Sequence, residues 1–310
     1  MHELNWGLPV ILYLFLAGLG AGAVTVSGSV LLRKGGFHDS RMDIARYGAL
    51  IGPIPVMLGT FLIVFELGQP FRALNLFKMI NLSPMSIGTW ALALFIILSG
   101  LYAICFIPRQ ATWPWLGKAR RVLAWLCVPL GISVAIYTGV LLGAMPARPF
   151  WNSPILAGLF VLSALSTGTA AIMLTVALFG EKSAEHREGR ENDQYLLVSS
   201  DALLLGGEML VIFLFLMFAH LTIGDVRHAV EVILPGGSLA SLFWWGVVLI
   251  GILFPFVMEL FQVVPKLLYG RTFRSSLVLE VAVALSVLAG GFALRYIIVV
   301  AGQVTGPTTL

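Results

Sequence analysis

Among the ionisable residues inside or at the ends of long apolar stretches are Glu66, Asp201, Glu208, Glu259, Glu280 and Arg295. A charge at bilayer depth costs about 2.5–3.5 kcal/mol on insertion scales, so residues of this kind exchange protons, pair with one another or contact a ligand. Two tyrosines, Tyr13 and Tyr137, occupy comparable stretches. A carboxylate can take up or release a proton, and a phenol can hydrogen-bond a carbonyl or hydroxyl oxygen. In VFELGQPFRALNLF the acid Glu66 closes an apolar run and the base Arg72 follows six residues later.

Metal redox chemistry finds no matching residues. Of five histidines (His2, His38, His186, His220 and His228), His220 alone falls in an apolar span, and a membrane b-type haem is held by axial ligands on facing helices. Cys105 and Cys127 stand singly, short of the four thiolates of an iron–sulfur cluster. The expectation is no intrinsic haem and no metal ligands. Electrons handled here would need an acceptor on a partner.

The elements that must position these groups are membrane helices. The 310 residues are 59% hydrophobic and 11% charged, where soluble domains run nearer ~25% charged. Eight spans are expected, at about 8–32, 46–66, 85–106, 121–144, 154–180, 195–223, 241–264 and 276–301, each long enough for a hydrocarbon core of about 30 Å. The first lacks a basic start and ends on Arg33-Lys34, so it reads as a permanent helix and not a cleaved signal. Of nineteen Lys and Arg, fourteen fall in the loops after odd-numbered spans and four on the other side. That asymmetry puts both termini on the periplasmic face of a bacterial inner membrane.

With this topology, Tyr13, Glu66, Tyr137, Arg72, Arg148, Trp151 and Asn152 gather near the periplasmic surface, with Arg295 about two turns below it. Asp201 and Glu208, seven residues apart, share one face of the sixth span. With Arg295 they make a candidate proton path from the cytoplasmic side. Glu259 and Glu280 lie toward the cytoplasmic ends of spans seven and eight, where solvation or pairing is expected.

An offset of 146 residues aligns YLFLAGLGAGAVTVSG with LFVLSALSTGTAAIML and makes Leu16/Leu162, Leu19/Leu165 and Gly22/Gly168 identical. Small residues four apart let helix backbones approach closely in lipid. Four spans per half gives a parallel duplication: an all-α membrane protein of two four-helix bundles, 1–150 and 151–310, within one integral membrane domain.

The segments LPVILYLFLAGLGAGAVTVSG, FELGQPFRALNLF, SPMSIGTW, YTGVLLGAMPARPFWNSPILAGLFVLSALSTG and LRYIIVVAGQ together resemble the NrfD/PsrC family along essentially the whole chain. That resemblance implies a haem-free, quinone-handling subunit of a respiratory complex such as polysulfide reductase. The quinone pocket (menaquinone or ubiquinone) would lie near the periplasmic face. It also implies a periplasmic four-cluster iron–sulfur partner and often a molybdopterin catalytic subunit. Tyr137 falls on the family's quinone-site tyrosine, Tyr13 where some relatives carry a pocket histidine, and Glu66 where members vary among proton-exchanging residues. Glu66 and Tyr137 are then the candidate catalytic pair, with Tyr13, Arg72, Arg148, Trp151 and Asn152 around the ring. The protein would act as part of an oxidoreductase and not as a complete enzyme. A secondary transporter and a passive anchor are the alternatives.

Overall fold

The computed structural model describes residues 6–33, 39–66, 83–107, 114–180, 187–222, 224–270, 273 and 276–305. Among these residues every regular element is helical: α1 (Leu8–Leu32), α2 (Asp39–Ile51), α3 (Pro53–Glu66), α4 (Pro84–Phe106), α5 (Pro114–Gly143), α6 (Ile155–Phe179), α7 (Arg187–Leu221), α8 (Asp225–Val230), the π-wound α9 (Leu242–Leu253), α10 (Phe254–Tyr269) and α11 (Leu277–Val304). Eight stretches of the described residues are long and apolar enough to cross a membrane, with α2–α3 and α9–α10 each making one of them. The expected spans agree in number and order. Spans two, four and six begin earlier than expected, and span seven ends later. Lys118 to Arg121 continue as helix because Arg120 is buried, its guanidinium 4.6 Å from the Phe106 ring centre and its Nε donating to the Cys105 carbonyl at 3.0 Å.

Local chemistry sets the ends and breaks. Ser83 caps α4 by accepting from the Ser86 amide at 3.3 Å, and Pro84 follows at the first helical position, where its missing N–H costs nothing. Ser276 caps α11 in the same way through the Leu279 amide. Pro53 interrupts the ladder between α2 and α3. Pro255 lacks an N–H and its ring crowds the carbonyl four residues back. Just upstream the helix is wound wider, so that the Phe254 amide reaches the Leu249 carbonyl, five residues back. Such π-wound turns re-aim the residues that follow them.

Helices α1 and α6 occupy the centre. The first packs against α3, α5 and α6; the second against α5, α7 and α11. A Cβ placed on Gly22 would overlap the Ala164 carbonyl, and one on Gly168 would overlap the Gly22–Ala23 backbone. The two glycines matched by the 146-residue offset therefore meet each other across the middle of the molecule. Near one end the Trp6 amide donates to Gln303 Oε1 at 2.8 Å, and Gln303 Nε2 returns a bond to the Trp6 carbonyl at 3.1 Å. Both ends of the described residues thus share one face, the terminal face.

Candidate functional site

Toward the terminal face two tyrosines converge. Tyr13 of α1 is buried and Tyr137 of α5 half-buried, and their hydroxyls are close enough to interact electrostatically. The Tyr137 ring lies on Gly88 of α4, where any Cβ would overlap ring carbons Cδ2, Cε2 and Cζ. Gly88 is the glycine of SPMSIGTW, so the role of the small residue in that segment is to seat the ring. Ser86, two residues earlier, is buried with its Oγ unpartnered among the described residues. On the other side, a Cβ on Gly59 of α3 would stand 3.3 Å from the Tyr13 backbone. Glu66 ends α3 seven residues further on, roughly 10 Å toward the terminal face by the helical rise. Arg72 lies outside the described residues.

Arg148, Trp151 and Asn152 follow α5. Trp151 is 2% exposed, donates from Nε1 to the Ile298 carbonyl at 2.7 Å, packs its indole on Gly302 and stacks on Trp6 at 5.1 Å. Arg148 Nη1 donates to the Gln303 carbonyl at 2.9 Å, closing off a helix C-terminus whose last carbonyls lack intrahelical partners. Both side chains therefore lock the loop after α5 to α11. Asn152 is exposed.

Deeper, Arg295 is 1% exposed. It donates to the Ser163 hydroxyl and, at 3.2 Å, to the Gly291 carbonyl, and lies 5.1 Å from the Phe160 ring centre. Gly18 of α1 leaves it space. Glu208 of α7, 4% exposed, faces the same serine and the same guanidinium. Guanidinium, hydroxyl and carboxylate thus share one buried site. Roughly 10 Å further along α7 by the helical rise, Asp201 faces Ser166 of α6 and Glu259 of α10.

Likeness to known proteins extends over the same helices. The family model "Polysulphide reductase, NrfD" covers residues 1–307. The chain belongs to the NrfD family. It is 33% identical to the C polypeptide of polysulfide reductase from Wolinella succinogenes, over 96% of the present sequence and 94% of the relative. The chain is also 32% identical to protein NrfD of Escherichia coli, over 98% and 96%. The C component of selenate reductase from Mesobacillus selenatarsenatis is 24% identical, over 97% and 74%.

Compared with the sequence expectations, the structure brings Tyr13 to Tyr137 and Glu208 to Arg295. It places Arg148 and Trp151 on α11. Glu259 departs from expectation: it is 0% exposed and faces Asp201, not solvent. Its nearness to the span end suggests hydration, but packing of α10 on α7 encloses it. Glu280 accepts from Gln194 Nε2 at 3.4 Å. Ser163 and Ser166 do not stand out in the sequence as polar contacts because they belong to the small-residue stripe of α6. In that stripe a serine serves close packing and hydrogen bonding alike.

A cavity of about 590 Å³ opens at the opposite end, among α1, α5, α6 and α7, with Arg33 at its edge and Val26, Ile132, Leu165 and Leu197 in its walls. Its Thr25, Ser29, Thr169 and Ser200 hydroxyls donate back to their own helices at 2.7–2.8 Å. The surface they leave is apolar.

Proposed function

We propose that this NrfD-family protein is the haem-free membrane subunit of a respiratory oxidoreductase and exchanges electrons between a quinone and a partner iron–sulfur subunit. The observation that carries the reading is the Tyr13–Tyr137 pair, with the Tyr137 ring seated on the motif glycine Gly88, near the helix end that bears Glu66. The names of the relatives, components of polysulfide and selenate reductases, support a reductase complex as its setting. In this reading the terminal face is periplasmic, the membrane is the bacterial inner membrane, and the helices form two four-helix halves around α1 and α6. The partners are a periplasmic four-cluster iron–sulfur subunit and a molybdopterin catalytic subunit.

Oxidation of a quinol releases two electrons and two protons. Tyr137 and Tyr13 hydrogen-bond the head-group oxygens and fix the ring. Glu66 takes up the two protons in turn, passing each to the periplasmic water, as the electrons leave for the partner's nearest cluster. Arg72 tunes Glu66 or meets the partner. Arg148 and Trp151 hold the wall in place through α11, and Asn152 faces the ring or the partner. Asp201, Glu208 and Arg295 would carry protons between mid-membrane and the cytoplasmic side. Direct transfer needs hydrogen-bond contact or one intervening water, so the roughly 10 Å between Glu208 and Asp201 would be bridged by water.

Binding of a quinone analogue to the purified protein, followed by fluorescence quenching, tests the reading against a passive anchor. Saturable binding weakened by Tyr137→Phe supports it. No binding to the well-folded protein, with full activity of the assembled complex, refutes it.

A further inference from the structure

Asp201 of α7, Glu259 of α10 and Ser166 of α6 turn toward a common point inside the protein, and each is 0% exposed. No oxygen of either carboxyl group, and not Ser166 Oγ, is aligned in a hydrogen bond with a described residue. The ionisable groups facing Asp201 are Glu259 from α10 and, further off, Glu208 from its own helix; α6 contributes only Ser166. Glu259 is faced by Asp201 alone among the described residues. The buried cation Arg295 donates to Ser163 and faces Glu208, and does not act on either carboxyl group of the pair.

Two carboxyl groups side by side in a water-poor interior, with no cation among the described residues to balance them, cannot both be charged. We propose that Asp201 and Glu259 form a single-proton acid pair, one carboxylic acid and one carboxylate sharing a hydrogen, with the Ser166 hydroxyl completing the site. The bound ligand is a proton. It enters as one acid O–H bond forms and leaves as that bond breaks toward the next acceptor, without change of oxidation state. Glu208 has the Arg295 guanidinium facing it; the Asp201–Glu259 pair has no such counter-charge among the described residues and holds the proton. The wide turns of α9 before Pro255 contribute by setting the face on which Glu259 emerges, four residues later. Use of the pair in quinone-coupled proton movement rests on the function proposed above; its occupancy by a proton does not.

Infrared spectroscopy of the full-length protein at rest, in detergent and without quinone, tests this. The wild type should show a protonated-carboxyl C=O band that shifts down on transfer to D2O. Asp201→Asn and Glu259→Gln should each alter that same band, and the double variant should abolish it. Ser166→Ala removes no charge and should only shift the band, which keeps the test open if an amide variant fails to accumulate. Absence of the band, two separate bands each lost with one variant, or displacement of the band by added sodium ion at constant pH would each overturn the proposal. Failure here leaves the quinone reading standing, and failure of quinone binding leaves the acid pair standing.

Discussion

Replacing Gly88 by alanine perturbs the tyrosine pair without touching a polar atom. The new methyl would intrude on three carbons of the Tyr137 ring, and the α4 backbone that carries it is held by the Ser83 cap and Pro84. The ring must therefore swing away. Extra methyl groups in packed interiors cost about 1–3 kcal/mol, a modest loss for a protein of this size. Under the proposed function a displaced Tyr137 would also give up a hydrogen bond to the head group, a net contribution of about 0.5–1.5 kcal/mol. At about 1.4 kcal/mol per tenfold, quinone-analogue affinity should fall roughly two- to tenfold. Tyr137→Phe keeps the ring and removes only the hydroxyl, so it should lose a similar factor with little change in thermal stability. Titration of a fluorescent analogue against both variants, alongside thermal unfolding, reads affinity and stability separately. Wild-type affinity in a folded Gly88→Ala protein, together with wild-type affinity in Tyr137→Phe, would refute the role given to the pair.

Glu66→Gln should abolish quinol-dependent turnover of the assembled complex while the partner subunits still co-purify; retained turnover counts against proton exchange at that residue. Removing Arg295 leaves Glu208 buried beside Ser163 without its cation. Arg295→Met should therefore destabilise the fold by about 3–5 kcal/mol, and adding Glu208→Gln should restore part of the loss in thermal unfolding. Additive effects of the two changes would contradict the pairing. Trp151→Phe gives up the bond to the Ile298 carbonyl and should cost about 1–3 kcal/mol, seen as a lower Tm with quinone-analogue affinity little changed.

The spans are readable in the sequence because hydrocarbon thickness imposes a length and an apolar composition that no other element shares. The Gly22/Gly168 match is readable for a related reason: close approach in lipid admits few residue types, so the matching small residues of α1 and α6 reveal the contact. Glu259 is not readable in this way, because burial near the end of a span depends on which neighbour covers it. Here α7 does so, and no local pattern announces it. The wide winding before Pro255 is equally hidden. A proline near the middle of an apolar run is consistent with a kink, a break or a wider turn, and the choice is made by packing, here the close approach of Gly251 to Gly290 of α11. Trp151 has the position of an interfacial aromatic, yet the gap left by Gly302 draws it inward.

Photoaffinity labelling with a quinone analogue, followed by peptide mapping of the full-length protein, tests quinone handling at the terminal face most directly. Label on the segments around Tyr13 and Tyr137, lost on competition with unmodified quinone, is the expected result. Label confined to the apolar cavity at the opposite end, on Val26–Leu32 and Leu196–Leu204, would contradict it.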